Sequence, residues 1–174
     1  MKIHWQKGGV VLNRDLPLNK LTLIALFVAL SAIGSYIMLP GPIGSVALDS
    51  APGFIASILL GGGSGALVLG LGHILTAVRS GLPLGPIHLI IAVLMAGIAP
   101  FYSYFWQKYN HWIAGLVGII LNGFVINAFL IPLLGIQFFL AMIPVLTIGA
   151  AFNISVATLM VNLLERRFEN VREL

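Results

Sequence analysis

The amino-acid sequence predicts an all-α fold: a polytopic membrane protein built as a six-transmembrane-helix bundle, with cytoplasmic N- and C-termini. Three observations lead to this prediction: charged residues are scarce, long apolar stretches recur, and the basic residues are distributed unevenly. Of the 174 residues, 59% are hydrophobic and 8% are charged, whereas a soluble domain carries about 25% charged residues. So few charges cannot cover a water-soluble globule, and we expect most of the surface to face lipid.

No break in composition marks a second domain, so residues 1–174 are interpreted as a single membrane domain. It comprises a cytoplasmic or interfacial lead-in (1–19), a six-helix core (20–165) and a cytoplasmic tail (166–174). Cysteine is absent, which excludes disulfides and thiolate metal sites. The net charge of +4 comes mainly from basic residues near the two ends. Because they flank apolar segments, we interpret them as topological anchors and expect no nucleic-acid partner.

Crossing a bilayer takes about 20 apolar residues in a helix. Four stretches satisfy this requirement: Leu21–Leu39, Pro86–Trp106, Trp112–Ile131 and Phe139–Leu164. A fifth stretch, residues 51–78, is uncharged over 28 residues but contains three consecutive glycines at 61–63. As one helix it would be about 42 Å long, too long without strong tilt, and as two helices each would be short. Length alone leaves both arrangements open.

The distribution of basic residues separates these two arrangements. With one helix at 51–78 the chain has five spans, and the nine Lys and Arg residues divide five against four between the two sides. With a helical hairpin there are six spans, and eight of the nine basic residues share one side, leaving Arg79 opposite. The positive-inside rule favours the second arrangement. We therefore predict a tight inner turn at 61–63 and both termini in the cytoplasm.

Polar side chains are costly inside a bilayer and usually face a bundle interior or a cavity. In the six-span topology they gather toward the outer side, which predicts an outward-facing pocket for a polar solute. The candidate substrate-binding residues are Asp49, His73, Arg79, His88, Asn122, Asn127, Gln137 and Asn153.

Structural alternatives exist for these residues. His73 and the asparagines could form hydrogen bonds between helices, and Arg79 could be an interfacial anchor. Asp49 precedes Ser-Ala-Pro, so it could cap the N-terminus of the second span with the proline in the first turn.

Small residues form a stripe on the first span, at Ala25, Ala29 and Ala32. Such a stripe permits close helix packing. It predicts either internal packing or a docking surface for a partner helix.

Enzyme chemistry has little support in the sequence. Gly62-Gly63-Ser64-Gly65 matches the GxSG pattern of rhomboid-type intramembrane serine proteases, but a nucleophile needs a base within about 3 Å. The topology places His73 and His88 in the outer half and Ser64 near the inner face. No HExxH motif, paired intramembrane carboxylates or Walker motif is present, so we expect no metal, no cofactor and no ATP use by this chain itself. A structural membrane scaffold remains a further alternative.

The predicted topology, the outward polar pocket and the alanine stripe together resemble the substrate-binding S component of energy-coupling factor (ECF) vitamin transporters. The resemblance covers roughly Leu16 to Arg167, and its strongest part runs from Lys20 to His73, KLTLIALFVALSAIGSYIMLPGPIGSVALDSAPGFIASILLGGGSGALVLGLGH. In that family an AxxxA motif on the first helix contacts the membrane-embedded coupling subunit, which joins two ATPase subunits. The resemblance therefore implies this contact for Ala25 and Ala29, with Ala32 one turn further on.

The resemblance also implies a vitamin-like solute, taken up across a prokaryotic cell membrane without enzymatic conversion. The stretch PIGSVALDSAPGF is most similar to members assigned to α-ribazole, a cobalamin precursor. Pantothenate, cobalamin and riboflavin remain alternative substrates.

Overall fold

A computed structural model describes residues 3–6, 9–12, 17–40 and 45–172 of the chain. Within these residues six helical segments form the bundle, which confirms the all-α prediction. The segments are α1 (Pro17–Gly34), α2 (Ala51–Leu59), α3 (Gly62–Arg79), α4 (Ile87–Lys108), α5 (His111–Ile119) continuing through a π-helical turn (Ile120–Val125) into α6 (Ile126–Phe129), and α7 (Ile131–Arg172).

Two short antiparallel strand pairs accompany the helices, and neither was predicted from the sequence. Strand β1 (Ile3–Gln6) pairs with β2 (Gly9–Leu12) in the lead-in, and β3 (Met38–Pro40) pairs with β4 (Ser45–Ala47) in the first outer loop.

The first helix ends earlier than the predicted Leu39. Gly34 is its last residue, and a Cβ at this position would collide with the carbonyl oxygen of Leu48. After a turn, the Leu48 N–H donates to the Ile37 carbonyl at 2.9 Å. The chain leaves the helix at Gly34 because the returning loop packs directly against it.

The uncharged stretch at 51–78 folds as a helical hairpin, which confirms six segments over five. Gly61 has φ 89°, a left-handed conformation that glycine adopts without strain. A Cβ at Gly53 would meet Leu69, and one at Gly65 would meet Ser57. These two pairs are symmetric about Gly61, so α2 and α3 pack antiparallel along their length.

In the described part of the chain, three helices are long and apolar enough to cross a membrane: Ile87–Lys108, His111–Phe129 and Ile131–Arg167. Asn19–Gly34 is a shorter apolar helix. Large apolar side chains cover the outside of the bundle, with Val93 and Trp112 exposed by 72% and 78%. In a water-soluble protein this surface would be unstable, and here it is suited to lipid.

The last helix is longer than the predicted span Phe139–Leu164. It begins at Ile131, departs from helical geometry at Gly135 (φ 82°, ψ 164°) and continues to Arg172. Most of the predicted tail is thus a helical extension of the sixth span. The packed core lies where α2, α4 and α7 meet, and the rings of Phe54 and Tyr102 are in edge-to-face contact there at 4.9 Å.

Candidate functional site

A cavity of about 370 Å³ lies between α3, α4, the α5–α6 span, α7 and the loop before α2. Seven of the eight residues predicted from the sequence line it: Asp49, His73, Arg79, His88, Asn122, Asn127 and Asn153. Gln137 does not, because it is exposed beyond the Gly135 break while its neighbour Phe138 faces the cavity. The structure therefore brings together side chains that are up to about 100 positions apart, and their role in binding remains a prediction.

Much of the lining is apolar, and the sequence analysis named none of it. It includes Ile91 and Met95 of α4, Ile126 after the π-helical turn, and Met142 and Leu146 of α7. In a membrane helix, apolar residues facing a cavity have the same composition as those facing lipid. Only the packing of the helices tells them apart.

The two cavity histidines are hydrogen-bonded to each other, His73 Nε2 to His88 Nδ1 at 3.1 Å. The Leu84 N–H donates to His88 Nε2 at 3.4 Å, so this nitrogen is an acceptor. In a neutral imidazole the proton then resides on Nδ1 of His88, which donates it to His73. By the same logic His73 carries its own proton on Nδ1. With both rings neutral, the three nitrogens that take part in these two hydrogen bonds all have a partner.

Asp49 is the acidic member of the cavity lining and is buried. The Ser50 hydroxyl donates to its Oδ1 at 3.1 Å, whereas the Thr76 hydroxyl, which also lines the cavity, donates to the Gly72 carbonyl at 3.0 Å. Burial raises the pKa of the Asp49 carboxyl, and the positive charge of Arg79 acts in the opposite direction. A buried carboxylate needs such partners, and here they come from the loop itself and from α3.

The prediction that Asp49 caps α2 is wrong, because a side chain from another helix performs this role. Oδ1 of Asn153 accepts the backbone N–H groups of Ser50 and Ala51 at 3.1 and 2.8 Å. Its Nδ2 donates to the carbonyls of Gly149 at 2.9 Å and Ala47 at 3.4 Å. Free N–H groups at a helix start require acceptors, and Asn153 supplies one from the middle of α7.

Arg79 joins the end of α3 to the first outer loop at the edge of the cavity. Its guanidinium lies over the Tyr36 ring at 4.9 Å, and its Nη2 donates to Met38 Sδ at 2.9 Å. Its Nε–H is buried without a hydrogen-bond partner within the described residues. Arg79 is therefore more than an interfacial anchor, since it contacts the β3 segment and faces the cavity.

Asn122 and Asn127 reach the cavity from the π-helical turn. The Ile126 N–H donates to the Leu121 carbonyl five residues earlier, which is the hydrogen bond of a π-helix. Asn127 Nδ2 donates to the Gly123 carbonyl at 2.8 Å. This turn was not predicted, because no sequence pattern used here separates a π-helical turn from an α-helix.

Ser64, the serine of the GxSG pattern, is separate from the cavity lining. Its buried hydroxyl donates to the Leu60 carbonyl at 3.1 Å. His73 follows nine residues later on the same helix, about 14 Å away by helical rise. Within the described residues no hydrogen bond joins Ser64 to a histidine, and no group of three or more His, Cys, Asp or Glu residues is placed to hold a metal ion.

The alanine stripe lies mainly on the outer surface of α1. Ala25 and Ala29 are exposed, and Ala32 is half-buried. The opposite face of α1 packs against α2 and α3 through Leu23, Ile24, Phe27 and Val28. Among the described residues, Ala25 and Ala29 are therefore not used for packing.

The comparison with protein families gives one assignment. A family model described as "ECF transporter, substrate-specific component" matches residues 19–166. The match includes every residue that lines the cavity and the whole alanine stripe. Neither a curated protein nor a solved structure matches the chain.

Proposed function

Because this chain belongs to the family of substrate-specific components of ECF transporters, we propose that it captures the vitamin precursor α-ribazole from outside a prokaryotic cell. Members of the family are multi-pass membrane subunits that bind a solute and work with a transmembrane coupling subunit and ATPase subunits. The chain is accordingly not an enzyme, and the rhomboid-type alternative is excluded.

The observation that carries the proposal is the cavity itself. Small-molecule pockets usually have volumes of about 300–1,000 Å³ and an apolar lining with a few placed polar groups. A volume of about 370 Å³, with polar side chains from four bundle segments and the loop before α2, fits this description. Such a cavity suits a solute of a few hundred daltons.

The composition of the lining is compatible with α-ribazole. This molecule joins an apolar dimethylbenzimidazole ring to a hydroxylated ribose, and the cavity combines thioether and aliphatic side chains with amides and histidines. Cobalamin is several times larger than the enclosed volume. Riboflavin and pantothenate are the alternatives of suitable size.

Binding by the purified full-length protein tests this proposal. We expect α-ribazole to bind more tightly than riboflavin, pantothenate or cobalamin in equilibrium titrations in detergent, and to be found by native mass spectrometry. Combined replacement of Arg79, His73 and Asn127 by alanine should abolish binding, whereas Gln137→Ala, outside the cavity, should not change it. Unchanged binding in the triple variant would overturn the cavity as the site.

We further propose that Ala25 and Ala29 form the contact with the coupling subunit, with Ala32 at its margin. Their exposure on a face that the described part of the chain leaves uncovered supports this role. A small-residue surface allows another helix to approach closely.

The double variant Ala25→Leu, Ala29→Leu tests the docking proposal. We expect uptake in cells to be lost while solute binding by the purified protein is retained, because the added side chains are on the outside of the bundle. Ala141→Leu, at an exposed alanine of α7, is the matched control and should retain uptake. Loss of solute binding in the double variant would instead show that the stripe supports the fold.

A further inference from the structure

We infer that Asn122 and Asn127 form an uncharged hydrogen-bonding end of the cavity, which selects a neutral solute carrying O–H or N–H donors. This inference rests on the proposed function, because it assumes that the solute occupies the cavity. It adds the chemical class of the solute and the residues that select it.

The π-helical turn is what places both amides on the same wall. Residues five apart in an α-helix point about 140° away from each other, at 100° per residue. In the turn at Ile120–Val125, the hydrogen bond from Ile126 to Leu121 spans five residues, so positions five apart are about one turn apart. Asn122 and Asn127 have this spacing, and both line the cavity.

The hydrogen bonds of Asn127 fix the orientation of its amide. The Gly123 carbonyl can only accept, so the group at 2.8 Å from it must be the NH₂ of Asn127. Oδ1 of Asn127 has no hydrogen-bond partner among the described residues, and it is not completely buried. It is therefore available to accept a hydrogen bond from a solute in the cavity.

In Asn122, both the oxygen and the NH₂ group of the side-chain amide are available for hydrogen bonds. This residue is half-buried, lines the cavity and has no hydrogen-bond partner in the described part of the chain. Together the two side chains present two acceptor oxygens and one donor NH₂. The complementary solute edge carries at least two O–H or N–H donors beside an acceptor, as neighbouring hydroxyl groups do.

The formal charges of the lining point to a neutral solute. Asp49 and Arg79 are the charged residues lining the cavity, and their formal charges sum to zero. Both hydrogen bonds of the histidine pair form with neutral rings. Since an uncompensated charge is costly away from water, the cavity penalises a solute with net charge.

Two probes and two substitutions test the inference on the purified full-length protein. The probes are α-ribazole and α-ribazole 5′-phosphate, which differ by a charged group. Asn122→Leu removes the free amide at similar volume and touches no backbone hydrogen bond, and Gln137→Leu is the control outside the cavity. We expect the wild-type protein to bind the neutral probe at least about tenfold more tightly than its phosphate. We expect Asn122→Leu to weaken α-ribazole binding about 5- to 100-fold, and Gln137→Leu to leave it unchanged.

The outcomes separate this inference from the proposed function. If Asn122→Leu binds α-ribazole like the wild type, or if the phosphate binds equally well, the inference fails while the cavity remains the binding site. If the wild type binds riboflavin instead, riboflavin and its 5′-phosphate replace the two probes. We then expect the same ratio of affinities between the neutral and the phosphorylated probe, and the same loss of affinity in Asn122→Leu. Binding of anionic pantothenate alone overturns neutral selection. If none of these solutes binds, the proposed function fails and the inference fails with it.

Discussion

The two halves of the bundle are built differently. In one half, which we call the packed half, Tyr102 is fully buried against Phe54, Trp106 and Ile154, and a Cβ at Gly118 would meet both Tyr102 and Ile154. In the other, the cavity half, the helices leave about 370 Å³ open and direct polar side chains into it. In the packed half the helices are in close contact, whereas in the cavity half the space between them is left open.

Because of this difference, one part of each helix contributes mainly to stability and another part mainly to solute recognition. Close packing contributes to folding because each filled position adds van der Waals contacts, while an open cavity contributes little until a solute fills it. We therefore expect substitutions in the packed half to change stability and substitutions in the cavity half to change binding. Residues at the boundary between the halves should affect both.

Asn153 lies at that boundary, and its replacement should have the largest effect. Asn153→Leu leaves the N–H groups of Ser50 and Ala51 without an acceptor, which we expect to lower the free energy of unfolding by about 2–4 kcal/mol. Asn153→Asp keeps the acceptor oxygens and should lose less. Thermal unfolding in detergent measures both variants. Equal losses in the two would show that capping of α2 is not what Asn153 contributes.

Gly65, where α3 packs against α2, should show the next largest effect. A Cβ there would collide with Ser57, so Gly65→Ala should lower the free energy of unfolding by about 1–3 kcal/mol. Gly63→Ala is the matched control two residues earlier, because nothing lies within 4 Å of its Cβ position. Both are compared by thermal unfolding. Similar midpoints for the two variants would mean that the α2–α3 contact is looser than described.

Arg79, at the edge of the cavity half, should have the smallest effect on stability. Arg79→Ala removes the contacts with Tyr36 and Met38, and we expect a loss of only about 0.5–1 kcal/mol in the free energy of unfolding. Solute binding, measured on the same preparation, should weaken more clearly. A larger change in unfolding than in binding would assign Arg79 to the fold and not to recognition.

Sequence reasoning succeeded where a single physical rule acts along the chain. The helical hairpin at Gly61 followed from the placement of basic residues, and the gathering of Asp49, His73 and Asn127 followed from the cost of polar groups in lipid. Both rules depend on position relative to the membrane, which the topology supplies without knowledge of contacts.

The failures concern contacts between distant residues and local changes of helix geometry. Asn153 caps a helix that begins 102 residues earlier in the chain, and no local sequence pattern indicates such a distant partner. Gln137 lies outside the cavity lining because its direction depends on the backbone at Gly135. The π-helical turn at Ile120–Val125 was missed because its sequence is that of an ordinary apolar helix.

The shortness of α2 has a consequence for how the chain is made. Its nine residues extend about 14 Å, less than half of the hydrocarbon core. A nascent chain that ends soon after α2 therefore presents a segment too short to integrate by itself, with backbone groups at its start that lipid cannot satisfy. We expect α2 to enter the bilayer only together with α3, as one co-inserted unit, and the N-terminal cap to form only after α7 has been synthesised. The loop before α2 thus reaches its final structure among the last parts of the protein, although it is translated among the first.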